Sequence, residues 1–175
     1  MRDGASTAVG AKSDKSGVLL NLSDQKSISS GFQTIVERAR QGQPDSEIQG
    51  VFVQEMIPSG QEVIVGAVQD PQFGAVAMFG SGGTEVEGLR DIAFGLAPLT
   101  DPEIETMLAS TWAGKKLAGY RNLLPADREA VRDVLIRLAQ LAHEFPGFQE
   151  IEINPLRVLP AGQGAVAVDV RIHQD

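Results

Sequence analysis

Cysteine is absent from this sequence, which excludes disulfides and thiolate metal sites and fits a reducing compartment. The expected location is therefore cytoplasmic. Histidine is scarce: His143 falls near a helix C-terminus, where a dipole contact suffices, and His173 is nearly terminal. Neither has the surroundings of a nucleophile or base, and no Ser-His-Asp arrangement can be assembled. No apolar run reaches the roughly 20 residues that a membrane-spanning helix needs, and the N-terminus lacks the hydrophobic segment of a secretory signal. Positive charge is short as well, with 15 Lys and Arg against 23 Asp and Glu, a net charge of -8. A general nucleic-acid surface needs concentrated Lys and Arg, so that class is excluded. The glycine-rich phosphate motifs are missing too: there is no Gly-Lys-Ser/Thr ending and no Gly-x-Gly-x-x-Gly.

What is present is a chain of 175 residues, 42% apolar and 22% charged, enough for one domain or two small lobes with a real core. Residues 1–16, "MRDGASTAVGAKSDKS", carry no periodicity and read as a flexible leader or truncated element. "GVLLNL" (17–22) reads as a short strand. Ser23 and Asp24 offer capping oxygens to a helix with Ile28, Phe32, Ile35, Val36 and Ala39 at helical spacing. "VFVQEMI" (51–57) reads as a buried strand. "QEVIVGAVQD" and "GAVAMFG", joined by "DPQFG", read as an antiparallel pair. Thr100 and Glu103 form a capping box ahead of a helix with Ile104, Met107 and Leu108. Pro125 opens a stronger helix with Val131, Val134, Leu135, Leu138 and Leu141 inward, stopped before Pro146. The order of elements predicts an α+β fold (α/β by broad class) with mixed strand directions.

The terminal stretch "EIEINPLRVLPAGQGAVAVDVRI" (150–172) raises the central question. A turn at Ala161-Gly162 places Asn154 opposite Asp169 and Glu152 opposite Arg171. In that register Glu150, Glu152, Asn154, Ala165, Ala167 and Asp169 share one face, with Ile151, Ile153, Val166, Val168 and Val170 on the core face. An amide oxygen and a carboxylate converging across strands suit Mg²⁺, which takes few protein oxygens and keeps waters or phosphates. Polar residues alternating with Ile and Val are equally what any one-sided sheet shows. The pattern leaves both readings open.

"FGSGGTEVEG" (79–88) poses a similar choice. Its glycines let backbone N–H groups converge on an anion, or they form a tight turn after a strand. Glu85 and Glu87 would repel a phosphate lacking its metal. Arg121, in "GYRN", is a lone cation of the kind that usually stays solvated.

Taken together, "FVQEMIPSGQEVIVGAVQDPQFGAVAMFGSGGTEVE", "RDIAFGLAPL", "LAGYR" and "EIEINPLRV…AVDVRI" resemble, in consistent order, the ATP-grasp domain of nucleoside-diphosphate-forming acyl-CoA synthetases. These include the ADP-forming acetate–CoA ligases and, more distantly, the β subunit of succinyl-CoA synthetase. The resemblance runs from about Lys12 to Ile172. It implies a partial ATP-grasp fold of largely antiparallel sheets with flanking helices, 17–57 being the remainder of the small lobe and 58–175 the C-terminal lobe. It implies ATP or ADP and Mg²⁺ as cofactors, and a CoA-binding domain or subunit as partner. Asn154 and Asp169 match the family's Mg²⁺ ligands, with Glu152 and Glu150 as acidic neighbours. Gln54, Glu55 and Met56 match the hinge whose backbone contacts adenine, and Glu62 the carboxylate on the ribose hydroxyls.

Two departures bear on activity. The family reads His-Lys-Ser-Asp where this chain has "AKSD", so Ala11 stands where the phosphoryl-carrying His is expected, and no catalytic residue is assigned. The family also has an upstream segment with a Lys for the phosphates, ahead of what this sequence contains. Gly95, further, stands where relatives often show Arg. Two functions follow from the resemblance. One is the nucleotide-binding portion of an acid–thiol ligase working through acyl phosphate and phosphohistidine. The other is a non-catalytic regulatory or assembly module of a larger acyltransferase-type protein.

Overall fold

The computed structural model describes residues 17–83 and 91–174. It separates into two compact units, Met1–Met56 and Ile57–Asp175.

In the first unit, Gln25–Gly42 forms helix α1. Asp24 caps it: its carboxylate accepts from the Ser27 N–H at 2.8 Å, and the Ser27 hydroxyl accepts from the Asp24 N–H at 3.2 Å. This reciprocal pair satisfies two of the donors that a helix start leaves orphaned. The expected strands at 17–22 and 51–57 do not form. Several of their apolar side chains are exposed, Phe52 at 96% and Val53 at 72%. Among the described residues of this unit no extended run pairs with either, and without a ladder partner an apolar run is not a strand.

The second unit is built on strands β1 (Gln61–Asp70), β2 (Gly74–Ser81), β3 (Ile92–Leu96), β4 (Phe148–Val158), β5 (Ala165–Ala167) and β6 (Val170–Gln174). Its sheet runs β3-β2-β1-β4-β5, with β6 also on β4, and every pairing is antiparallel rather than mixed. The β1–β2 turn is made by Asp70, whose carboxylate accepts the N–H groups of Gln72 and Phe73. Strand β3 has no counterpart among the expected elements; it lies within the "RDIAFGLAPL" segment.

Helices α2 (Asp101–Ser110), α3 (Trp112–Leu117) and α4 (Arg128–Glu144) complete the unit. Glu103 returns to Thr100, accepting from its N–H and its hydroxyl at 2.7 and 2.6 Å. Helix α4 starts later than expected because Asp127, not Pro125, caps it, accepting from the Ala130 N–H at 3.1 Å. The other Asp127 oxygen accepts from Gly164 N–H at 2.7 Å, tying the β4–β5 turn to the helix. Both bonds hold that carboxyl below its ordinary value.

One core joins sheet and helices: Val63, Val65, Phe79 and Ile151 meet Ile104, Leu108, Leu117, Val131 and Leu135. A leucine buried as fully as Leu135 contributes about 2 kcal/mol. Helix α4 turns Ala139 and Ala142 inward, while Leu141, expected inside, is exposed. No helix among the described residues is long and apolar enough to cross a membrane.

Candidate nucleotide and metal site

The register of the terminal hairpin sets Asn154 against Asp169. Strand β4 pairs Ile151 with Ile172, Glu152 with Arg171 and Ile153 with Val170, then Leu156 with Ala167 and Val158 with Ala165. Asn154 and Asp169 fall opposite each other in this series, and the Asn154 N–H donates to the Asp169 carbonyl at 3.0 Å. Ala161 and Gly162 sit in the turn, with Gln163 N–H donating to Pro160 carbonyl.

The faces are a different matter. Between β1 and β4 the register slips, since the single residue between Val63 and Val65 opposes two, Asn154 and Pro155, between Ile153 and Leu156. Pro155 has no N–H to give the ladder, and an extra residue there makes a bulge that reverses which side chains face inward. Ile151 is buried before the bulge, and Leu156 and Val158 after it. Ala165 packs against the core, so it does not share the exposed face of Glu150. Val168 and Val170, expected on the core face, are 38% and 50% exposed.

The glycine-rich turn meets this bulge. The Asn154 side-chain oxygen accepts the Gly83 N–H at 3.1 Å. Gly83 has φ +66, and a side chain there would run into the Glu62 carboxylate. Gly82 donates its N–H to the Glu62 carbonyl at 3.2 Å and lies so close to Val63 that a Cβ has no room. The N–H groups of Gly82 and Gly83 are therefore spent inside the protein. For these two residues the tight turn, rather than the anion nest, is the structure observed.

Glu62 lies directly across from Arg157 in the β1–β4 register, and Arg157 Nη2 meets Glu62 Oε1 at 2.5 Å. The pair is half-buried, at 24% and 34% side-chain exposure. The neck of the glycine-rich turn is closed by Asp91. Its carboxylate accepts from the Ser81 hydroxyl and the Ala113 N–H, both at 2.8 Å, and from the Trp112 N–H at 2.6 Å. Burial pushes the Asp91 carboxyl up, but these donors and the Lys116 charge outweigh it and hold it below its ordinary value. Sequence reasoning misses Asp91 and Arg157, because each finds its partner across the fold.

Asp169 is 45% exposed, with Arg171 Nε at 3.7 Å. Glu152 faces Arg171 across the ladder. Asn154 Oδ1 keeps a free lone pair beyond its one bond, and Asp169 is open enough to take a ligand. An amide oxygen and a carboxylate are hard donors of the kind that suit Mg²⁺. Among the described residues no three His, Asp or Glu side chains form a denser metal cluster. Gln54, Glu55 and Met56 lie in the first unit and are exposed. Ala11, Glu85 and Glu87 fall outside the described residues, as does the leader 1–16.

The ATP-grasp domain family matches residues 4–173. Subunit β of acetate–CoA ligase [ADP-forming] I from Pyrococcus furiosus is 40% identical over 161 residues, 92% of this chain and 68% of that protein. The 4-hydroxybutyrate–CoA ligase [ADP-forming] of Nitrosopumilus maritimus is 40% identical over 168 residues, 96% of this chain but 24% of that protein. The dinucleotide-forming acetyl-coenzyme A synthetase 1 of Ca. Korarchaeum cryptofilum, in complex with coenzyme A, Ca-AMPCP and HgCl+, superposes with a TM-score of 0.86 at 39% identity. That match covers 96% of this chain and 72% of the other. A second structure of that synthetase, holding coenzyme A and Mg-AMPPCP, matches with a TM-score of 0.79 at 36% identity, over 91% of this chain and 68% of the other. The chain belongs to the ATP-grasp family, as the ATP-grasp portion of the ADP-forming acyl-CoA synthetases.

Proposed function

We propose that this chain binds an adenine nucleotide with Mg²⁺ for an ADP-forming acid–thiol ligase. The overall conversion is acyl-CoA, ADP and phosphate to acid, CoA and ATP, shared with a CoA-binding domain or subunit. Backbone groups of Gln54, Glu55 and Met56 would take adenine, and Glu62 the ribose hydroxyls. Asn154 and Asp169 would hold Mg²⁺, with Glu152 as an acidic neighbour. When bound, the ion supplies charge neutralisation at the nucleotide phosphates. The observation that carries this reading is the bulge of β4, which brings Asn154, opposite Asp169, onto the turn that borders Glu62.

A second reading, a non-catalytic sensing or assembly module, is favoured by Ala11 at the position of the family's phosphoryl-carrying His. A methyl group cannot carry phosphate. Calorimetric titration with MgATP, ATP in chelator, and adenosine tests the proposal. Expected are a Mg²⁺ requirement of about tenfold or more in affinity and adenosine binding weaker than MgATP. Tight binding indifferent to Mg²⁺ contradicts it.

A further inference from the structure

We propose that Arg157 is a positioning residue for the nucleotide, acting by fixing the Glu62 carboxylate and the chain at Ile57. This rests on the reading of Glu62 as the ribose-binding carboxylate.

The guanidinium is shared between two acceptors. Nη2 meets Glu62 Oε1 at 2.5 Å, and Nη1 donates to the Ile57 carbonyl at 3.5 Å. A planar, always-charged fork can hold two acceptors in one fixed relation, which a single ammonium cannot. Ile57 is the residue after Met56, the end of the segment assigned to adenine. One side chain thus reaches both the Glu62 carboxylate and the Ile57 carbonyl.

The stem of Arg157 takes part as well. A side chain at Gly60 would meet Arg157 Cγ at 3.0 Å and the Val158 carbonyl even closer. The 57–60 stretch is therefore laid against β4 by backbone contact, with the Arg157 stem as part of the wall. On Glu62 the guanidinium engages Oε1 and leaves Oε2 on the side of Gly83. Oε2 is the oxygen left to accept from a ligand hydroxyl, and its orientation is set by the bond on Oε1.

Stability alone is a weak reason for such a pair. Half-exposed ion pairs contribute little, because solvent screens them and two long side chains lose freedom. A fork spent on one carboxylate and one carbonyl gives defined direction instead, which is what a hydroxyl-binding carboxylate needs.

The test compares MgATP with its 2′,3′-dideoxy analogue, by ligand-observed NMR titration of the 175-residue chain. The unaltered protein is expected to favour MgATP by about tenfold, as for loss of hydrogen bonds to a charged acceptor. Arg157→Met is expected to reduce that preference to about twofold or less, and Glu62→Gln likewise. The double variant should be no worse than either single one, because the two residues act as a unit. Arg157→Lys, which keeps a charge for Glu62 but gives up the fork, should keep part of the preference. If Arg157→Met does not fold, the lysine variant decides, since the full preference requires an intact guanidinium. A full preference in both Arg157 variants, with the preference lost in Glu62→Gln, overturns the positioning role and leaves the ribose role standing. No preference in the unaltered protein, or an unchanged preference in Glu62→Gln, overturns the ribose reading and the inference with it.

Discussion

Replacing Gly83 with alanine strikes the site at a point where backbone and carboxylate are both committed. At φ +66 an L side chain is strained, at about 1 kcal/mol. The new methyl would collide with the Glu62 carboxylate, forcing it off Arg157. That pair is a quarter to a third exposed, so its loss is worth about 1 kcal/mol at most. Any shift of the turn also stretches the Gly83 N–H bond to Asn154, worth about 1 kcal/mol. The total is about 2–3 kcal/mol. Gly74 supplies the control: its φ is +75, but nothing lies within 4 Å of the place a methyl would take, so Gly74→Ala meets the strain alone. Urea denaturation of both variants should separate them by about 1–2 kcal/mol, and thermal melting by about 2–8 °C for a chain of this size. Equal losses in the two variants would refute the claim that Gly83 is wedged between Glu62 and Asn154.

Asp91→Asn should destabilise the fold by about 1–3 kcal/mol, since its carboxylate serves three donors at once. The Asp91 value is depressed, so its contribution is fully present above the ordinary 3.8 and is lost as pH falls through the folded value. Urea midpoints followed from neutral pH to below 3.8 should fall less steeply in Asp91→Asn than in the unaltered protein. Asn154→Ala and Asp169→Ala should each remove the Mg²⁺ dependence of ATP binding while leaving adenosine binding in place, as read by calorimetry. The purified chain should show no acyl-CoA synthetase turnover, because Ala11 cannot relay phosphate. Robust ATP synthesis from acetyl-CoA, ADP and phosphate would refute that.

Features set by neighbours in sequence are legible. Of the two capping oxygens expected, Asp24 rather than Ser23 caps α1, Asp70 and Gly74 shape the β1–β2 hairpin, and Glu103 closes on Thr100, each through contacts a few residues long. The Asn154–Asp169 register is legible too, because a turn at Ala161-Gly162 determines every later pairing. What the sequence hides depends on distant partners. "VFVQEMI" has the composition of a buried strand, but burial needs a partner to pair with. In β4 the alternation of Ile151 and Ile153 suggests one continuous core face, and the bulge at Pro155 moves the buried positions to Leu156 and Val158. Ala139 and Ala142 carry too little apolar weight to mark a helix face, so Leu141 reads as the inward residue although it is exposed. Glu62 and Arg157 stand 95 residues apart, and Asp91 caps a helix 21 residues on; neither spacing leaves a local trace.

In the proposed function a divalent ion sits at the β4 bulge, held by Asn154 and Asp169. Mn²⁺ in place of Mg²⁺, added with ATP to isotopically labelled protein, broadens the amide resonances nearest the bound metal. The strongest broadening is expected at Gly83, Asn154 and Asp169, with its loss in Asp169→Ala and little effect at the acidic start of α2. Broadening centred instead on Asp101, Glu103 and Glu105, or unchanged in Asp169→Ala, would contradict it.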